Sequence, residues 1–359
     1  MNIFSRYLIR NIFTGFAAAA ALLIPLFTTF DFINELDDVS SNGYRWELAL
    51  LVVLMRLPRC LIDLSPFIAL LGGIVGLGQL SKTLELTAMR VAGLSVFRIS
   101  LVVLCSGLIM SSALSALDEW VASPLQQRAL QIKDTAFARS DKTVPTMNAL
   151  WARRDNEFVM VKTIDPDNHP VGIEIFRYNP DLSLMSYIYA ENATPKNNGT
   201  WILHNVNQKS WASGQESGNS VVSLEWPSIF TNTHLNELTM PGDSFSVRQL
   251  NHFIRYLKNT SQPALEFELA LWQKMGRPIL VLAMLLLAVP FTFGNPRSPG
   301  LGSRLAIGVI VGLFTYIMDQ IIVNLGLLLS LNAVLTAIAP PSFILALAFV
   351  LIHRFNKQQ

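Results

Sequence analysis

Arg56, Arg59 and Asp63 interrupt an otherwise apolar run from Leu48 to Leu80, and their types and spacing are the first in the chain to suggest chemistry. A charged side chain at membrane depth costs at least about 2.5 kcal/mol unless it is paired, reaches the interface or faces a cavity. Two readings follow. Either Arg59 and Asp63 pair as i, i+4 neighbours and are structural, or they line a polar cavity. There a guanidinium suits phosphate, because its planar fork donates two hydrogen bonds. Asp319 comes about fifteen residues after Arg304, roughly 22 Å along a helix. That places it near the outer interface, with helix-end solvation and a proton or ion role equally open. A third group is Ser81 to Ser95, long enough for a short helix capped by Ser81 or Thr83, with Glu85 in its first turn and Gly93 closing it. It is either an ordinary connector or a docking helix that presents Glu85 and Arg90 to a cytoplasmic partner.

Other chemistry finds little support. His169, His204, His234, His252 and His353 are scattered singly, and neither His-Glu-x-x-His nor Gly-x-Ser-x-Gly occurs. The glycines of Gly72-Gly-Ile-Val-Gly-Leu-Gly-Gln-Leu-Ser-Lys82 resemble a phosphate-binding loop, but no Lys follows Gly78 directly. In an apolar span they fit close helix packing instead. Cys60 and Cys105 lie in apolar stretches and read as small hydrophobes. We therefore expect no enzyme, no cofactor and no metal, and any ATP must be bound by another subunit. A net charge of +2 without a basic run argues against nucleic acid.

The elements that must position these residues follow from composition. The chain is 51% hydrophobic and 14% charged, against roughly 25% charged in soluble domains, so lipid is the expected solvent. About 20 apolar residues cross a bilayer. Six stretches qualify: Asn11–Phe30, part of Leu48–Leu80, Ile99–Leu117, Pro278–Pro296, Leu305 to near Asn324, and Leu331–Ile352. The first reads as an uncleaved anchor. A short turn over Asn324-Leu-Gly326 and Ser330-Leu-Asn332 should separate the last two. Arg6, Arg10, Lys82, Arg90, Arg98, Arg297, Arg304, Arg354 and Lys357 fall on one side of the short loops and Arg45 on the other, so both termini are expected in the cytoplasm.

Between the third and fourth spans the composition becomes that of a soluble domain. β-rich runs at Phe158–Val161, Gly172–Tyr178, Met185–Ala190, Trp201–His204 and Val221–Trp226 alternate with turns at Asp165–Asn168, Asn179–Asp181 and Lys196–Gly199. An antiparallel sandwich or jelly roll fits best, flanked by helical linkers over Ser123–Phe137 and Val247–Asn259. The expected fold is an α-helical integral membrane protein of six transmembrane helices (3 + 3) with an inserted all-β, jellyroll-like periplasmic domain. The divisions are 1–120, with the connector at 81–95, then 121–270 and 271–359. Asn192, Asn198 and Asn259 begin Asn-x-Ser/Thr triplets, a pattern too short to decide anything.

Several strings resemble the LptF/LptG permease family of the lipopolysaccharide export system. Glu85-Leu-Thr-Ala-Met-Arg-Val-Ala-Gly93 is similar to its coupling helix, and Asp118-Glu-Trp-Val-Ala122 to its exit from span three. Asn295-Pro-Arg-Ser298, Gly302-Ser-Arg304 and Tyr316-Ile-Met-Asp-Gln320 are similar to its span four to five region, the last closer to the LptG branch than to LptF. The resemblance covers essentially the whole chain. It implies a bacterial inner-membrane subunit paired with an LptF-like permease. It also implies docking on an LptB-like ATPase dimer through the helix bearing Glu85 and Arg90, and an LptC-like membrane-anchored bridge protein beside span one. Lipopolysaccharide would enter the cavity from the outer leaflet and be pushed into the β domain, with a basic residue at Arg59 helping to hold phosphate. One departure stands out. The better-known members of the family it resembles carry lysines around the outer end of span one, whereas this chain reads Asp31-Phe-Ile-Asn-Glu-Leu-Asp-Asp38. Arg56, Arg59, Arg128 and Lys133, or divalent cations bridging acid to phosphate, are the expected substitutes. A secondary transporter with Asp319 or Asp63 as relay, and a non-transporting anchor with a binding domain, are the alternatives.

Overall fold

The computed structural model describes residues 3–39, 44–139, 150–165, 169–181, 183–196, 199–212, 215–229, 240–259, 263–292 and 301–357. Pro296, Arg297, Asn198 and the Asn295–Ser298 string lie outside them, as do parts of the Asp165–Asn168 and Lys196–Gly199 turns. The helices, in order, are α1 (Ile3–Leu36), α2 (Trp46–Lys82), α3 (Glu85–Val91), α4 (Val96–Leu117), α5 (Ser123–Arg139), α6 (Val247–Asn259), α7 (Leu265–Thr292), α8 (Leu301–Leu328) and α9 (Ala333–Lys357). Among the described residues, six helical segments are long and apolar enough to cross a membrane: α1, α2, the continuous rod Val96–Phe137, α7, α8 and α9. The protein is thus an integral membrane protein of six such helices with an all-β insert.

Several helices outrun the apolar stretches that announce them. Helix α7 begins at Leu265, 13 residues before Pro278, because its first three turns pack on α6 rather than on lipid. Helix α8 continues through Asn324 and Gly326 to Leu328. The turn to α9 is made instead at Ser330 (φ +50), where the Leu331 N–H reaches back to the Gly326 carbonyl. Gly326 serves packing, since a Cβ there would sit 2.4 Å from the Thr336 methyl. Pro58 and Pro66 in α2 and Pro278 in α7 stay helical, as neighbouring helices allow in membranes.

Glycine sets the closest helix contact. A Cβ on Gly15 would lie 2.2 Å from the Gly72 carbonyl oxygen, and one on Gly76 2.4 Å from that of Asn11. The backbones of α1 and α2 therefore touch along one seam, the small-residue packing of membrane helices. The central membrane core unites Leu8 and Ile12 of α1, Leu70, Ile74 and Leu77 of α2, Ile99 and Val103 of α4, and Met284 to Val289 of α7.

Helix α4 passes into α5 through one π turn, Asp118–Ala122, a distortion that often marks functional positions. Beyond the membrane core, Phe245, Phe253 and Phe267 cluster where α6 meets α7. The start of α6 is tied to the π turn, because the Glu119 carboxylate accepts the Val247 N–H at 2.8 Å. Gln126 and Gln127 of α5 bond Asp243, Ser244 and Gln249.

Among its described residues the insert forms a six-stranded antiparallel sheet whose strands pair in chain order: β1 (Leu150–Arg154), β2 (Glu157–Ile164), β3 (Pro170–Tyr178), β4 (Leu184–Pro195), β5 (Thr200–Ala212) and β6 (Gln215–Pro227). The two-residue alternation sends Val159, Val161, Ile173, Ile175, Ile188, Ala190 and Val206 to one buried face with Trp226, and Asn205, at φ +53, resets the alternation so that Leu203 and Trp201 join them. The sheet rolls over that face. At the end of the roll the Trp226 indole N–H donates to Glu157 of β2 at 2.8 Å, and Arg154 of β1 reaches the Pro227 carbonyl at 3.4 Å.

Candidate functional site

Two charged clusters lie where the helices converge. The inner one is built on Arg59, 7% exposed on α2. Its Nε donates to Asp63 at 3.2 Å and its Nη1 to Asp118 at 3.3 Å. The Asp118 carboxylate, placed by the π turn, also accepts Lys274 Nζ of α7 at 2.7 Å. Lys274 donates further to the Ser123 hydroxyl at 3.3 Å. One turn on, Arg277 pairs with Asp63 at 2.9 Å. Arg59, Lys274 and Arg277 thus share Asp63 and Asp118, and the carboxylates of Asp243 and Asp319 stand in the same cavity wall. Burial of ions is tolerated only with such pairing.

The cluster borders a cavity of about 410 Å³ whose wall includes Arg59, Arg277, Asp63, Asp243, Asp319 and Gln273, with Phe67, Leu280 and Met284 as apolar lining. The two readings of Arg59 and Asp63 are therefore not exclusive. They pair along the helix, and both also face the cavity. Asp319 sits in the same wall rather than at a solvated helix end.

The second cluster lies at the end of α1. Glu35 is 5% exposed and accepts the Tyr44 hydroxyl at 2.9 Å, Arg56 at 3.2 Å and Lys133 at 2.6 Å. Lys133 also reaches Asp38 at 2.7 Å and lies 5.7 Å from the Phe137 ring centre. Burial and the neighbouring Glu35 carboxylate push the Tyr44 phenol well above its ordinary range. The acidic stretch thus binds the basic residues of its own chain, joining α1 to α2 and α5.

Of the residues singled out in the sequence, Arg59 lines the cavity, while Arg56 and Lys133 are engaged by Glu35. Arg128 is exposed on α5. Glu85 and Arg90 are half-buried on α3, and the Thr83 hydroxyl donates to Glu85 at 2.9 Å. The capping expectation needs correction. Leu84 holds the N-cap position in a left-handed conformation (φ +60) with no side-chain cap, and Ser81 bonds the Thr292 carbonyl of α7 at 3.1 Å. Gly93 does close α3: at φ +90 its N–H reaches Arg90, and the Leu94 N–H reaches Met89. Lys274 and Arg277 are not among the residues that the sequence singles out, because the charge-free run marking the fourth span starts at Pro278, just beyond them. The spacing Lys274-x-x-Arg277, which puts both on one helix face, was the available signal.

The sequence profile of the family described as lipopolysaccharide export system permease LptF/LptG matches residues 6–354. The lipopolysaccharide export system permease protein LptG of Escherichia coli K12 is 27% identical over 355 residues, 98% of each chain. The protein of that name from Haemophilus influenzae is 26% identical over 355 residues, 99% of each chain.

Proposed function

This chain belongs to the LptF/LptG family of lipopolysaccharide export permeases, and from that premise we propose that it forms half the wall of a chamber that extracts lipopolysaccharide from the inner membrane. The single observation that carries this reading is the pair of guanidinium groups, Arg59 and Arg277, set in the wall of an interhelical cavity whose lining also offers the apolar Phe67, Leu280 and Met284. A phosphorylated glycolipid has the matching chemistry, with acyl chains for the apolar wall and phosphate for the guanidinium forks. Arg59 and Arg277 are the phosphate ligands in this reading. Arg56 and Lys133 are already neutralised by Glu35 and Asp38, and serve instead to hold α1 against α2 and α5.

The remaining assignments rest on the same premise. The chain is a non-catalytic permease subunit in a multi-component complex. An LptF-like permease completes the chamber, an LptB-like ATPase dimer docks at α3 through Glu85 and Arg90, and an LptC-like bridge protein contacts α1. Basic residues of the short loops support cytoplasmic termini and a periplasmic β domain. Residues 121–270 then form the unit that receives the cargo, its apolar inner face exposed when the Trp226–Glu157 end of the roll opens.

The test is photo-crosslinking in cells, from a probe residue at Phe67 in the cavity wall and another at Tyr187 on the sheet. Glycolipid adducts at Phe67 that disappear when ATP hydrolysis drives the cargo onward are expected. Transport by the purified chain without any ATPase, or capture of protein alone at Phe67, would defeat the reading.

A further inference from the structure

The face of the sheet turned away from its core carries a feature that passage of acyl chains does not use. Trp151, Phe158, Phe176 and Tyr178 line an open depression of about 290 Å³, at the small end of ligand sites. Trp151 lies against Phe176 in a stacked arrangement with ring centres 6.3 Å apart. Phe158 meets Tyr178 edge-on at 5.6 Å, and Phe176 abuts Tyr187 at 5.1 Å. The register explains the assembly, since Phe158, Phe176 and Tyr187 are directly opposed on three neighbouring strands. Trp151 is 53% exposed, and the other rings are half-buried. A contiguous aromatic surface of this kind on a water-facing sheet marks a binding site more often than chance exposure.

The groups between the rings identify the ligand class. Arg153 projects over Phe158, its guanidinium carbon 4.9 Å from the ring centre. Glu174 interacts with the Tyr187 phenol, and Lys209 follows Tyr187 in the same cross-strand row. Flat apolar faces therefore alternate with charged and hydroxyl groups. An acyl chain lying here would strip water from Arg153, Glu174 and Lys209 without replacing it. An amphipathic helix asks for an unbroken apolar stripe. A pyranose ring has both parts, a C–H face for an aromatic ring and a rim of hydroxyls for the polar groups beside it.

We propose that this outer face is a saccharide platform centred on Trp151 and Phe176, which takes pyranose rings of the cargo's headgroup. The proposal rests on the glycolipid reading above and adds a division of labour, with apolar chains on one face of the sheet and sugar on the other.

The test uses the full chain in nanodiscs and an acyl-free oligosaccharide released from lipopolysaccharide by mild acid, followed by saturation-transfer NMR. Ring C–H signals should receive saturation. W151A combined with F176A should weaken binding about tenfold, while W151F keeps it. An unchanged melting curve for W151A alone, at a residue more than half exposed, separates lost binding from lost folding. Equal binding by the double-alanine variant overturns the platform, as does saturation of lauric acid in place of sugar. Glycolipid capture at Phe67 is read separately. Capture there with no sugar binding at Trp151 sinks the platform alone, whereas sugar binding without capture sinks the export reading.

Discussion

Replacing Asp118 by Asn tests the inner charge cluster most directly, because the substitution keeps the shape and removes the charge. Asp118 is 7% exposed and is the shared acceptor of Lys274 at 2.7 Å and Arg59 at 3.3 Å. With it gone, Arg59 keeps Asp63, Lys274 loses its ion-pair partner, and the cluster carries a surplus of one positive charge relative to the native state. Removing one partner of a buried pair costs about 3–5 kcal/mol. The lower end applies here, since Arg59 keeps Asp63 and the cavity admits water, so a loss of about 3 kcal/mol is expected. The same surplus should favour an anionic ligand, because a unit charge roughly 6 Å away is worth about 3 kcal/mol at an effective dielectric constant near 20. D118N should therefore melt earlier in detergent yet give more glycolipid adduct at Phe67. Adding K274M restores the charge balance and should recover most of the lost stability. If D118N and K274M destabilise additively with no coupling in the double-mutant cycle, the cluster is not the electrostatic unit described, and the reasoning fails.

Three further outcomes follow from particular contacts. E35Q leaves Arg56 and Lys133 without their buried counter-charge and should lower stability by about 2–4 kcal/mol, read as weaker disulfide trapping of engineered cysteines between α1 and α5; wild-type trapping would contradict it. G15V drives its first side-chain carbon into the Gly72 carbonyl and should sharply reduce the amount of folded protein in the membrane, whereas G302V, at a glycine with open space around it, should leave it unchanged. E85K should abolish co-purification of the ATPase and growth while membrane insertion persists, and normal co-purification would refute the docking role of α3.

The membrane helices were legible in the sequence because a run without charge has few alternatives once lipid is the solvent. The strands were legible because alternation and turn residues agree, as at Phe158–Val161 and Gly172–Tyr178. The inner cluster was only half visible. Arg59 and Asp63 stand out inside an apolar run, but Lys274 and Arg277 stand before one, where charge looks like solvated surface. Their true depth comes from α7 beginning at Leu265, a boundary fixed by aromatic packing on α6 rather than by hydropathy. Asp118 was noticed as part of a string, yet its role depends on the π turn that swings it toward α2 and α7, and no local residue pattern encodes that turn. The pairing of Glu35 with Lys133 was hidden for a simpler reason. The two are far apart in sequence, and an acidic stretch gives no sign of which cations it will meet.

The uninterrupted course of Val96–Phe137 has a mechanical consequence. These 42 residues make a shaft of about 63 Å, which starts at Val96, with four residues between it and α3, and ends at Phe137, whose ring lies 5.3 Å from that of Tyr44. A tilt of only about 5° at the α3 end would sweep the far tip through roughly 5 Å over that length. Work done on one side of the bilayer can thus arrive at the other as a displacement of α5 and of the Asp243–Gln249 segment bound to it, with no signal having to be relayed from side chain to side chain.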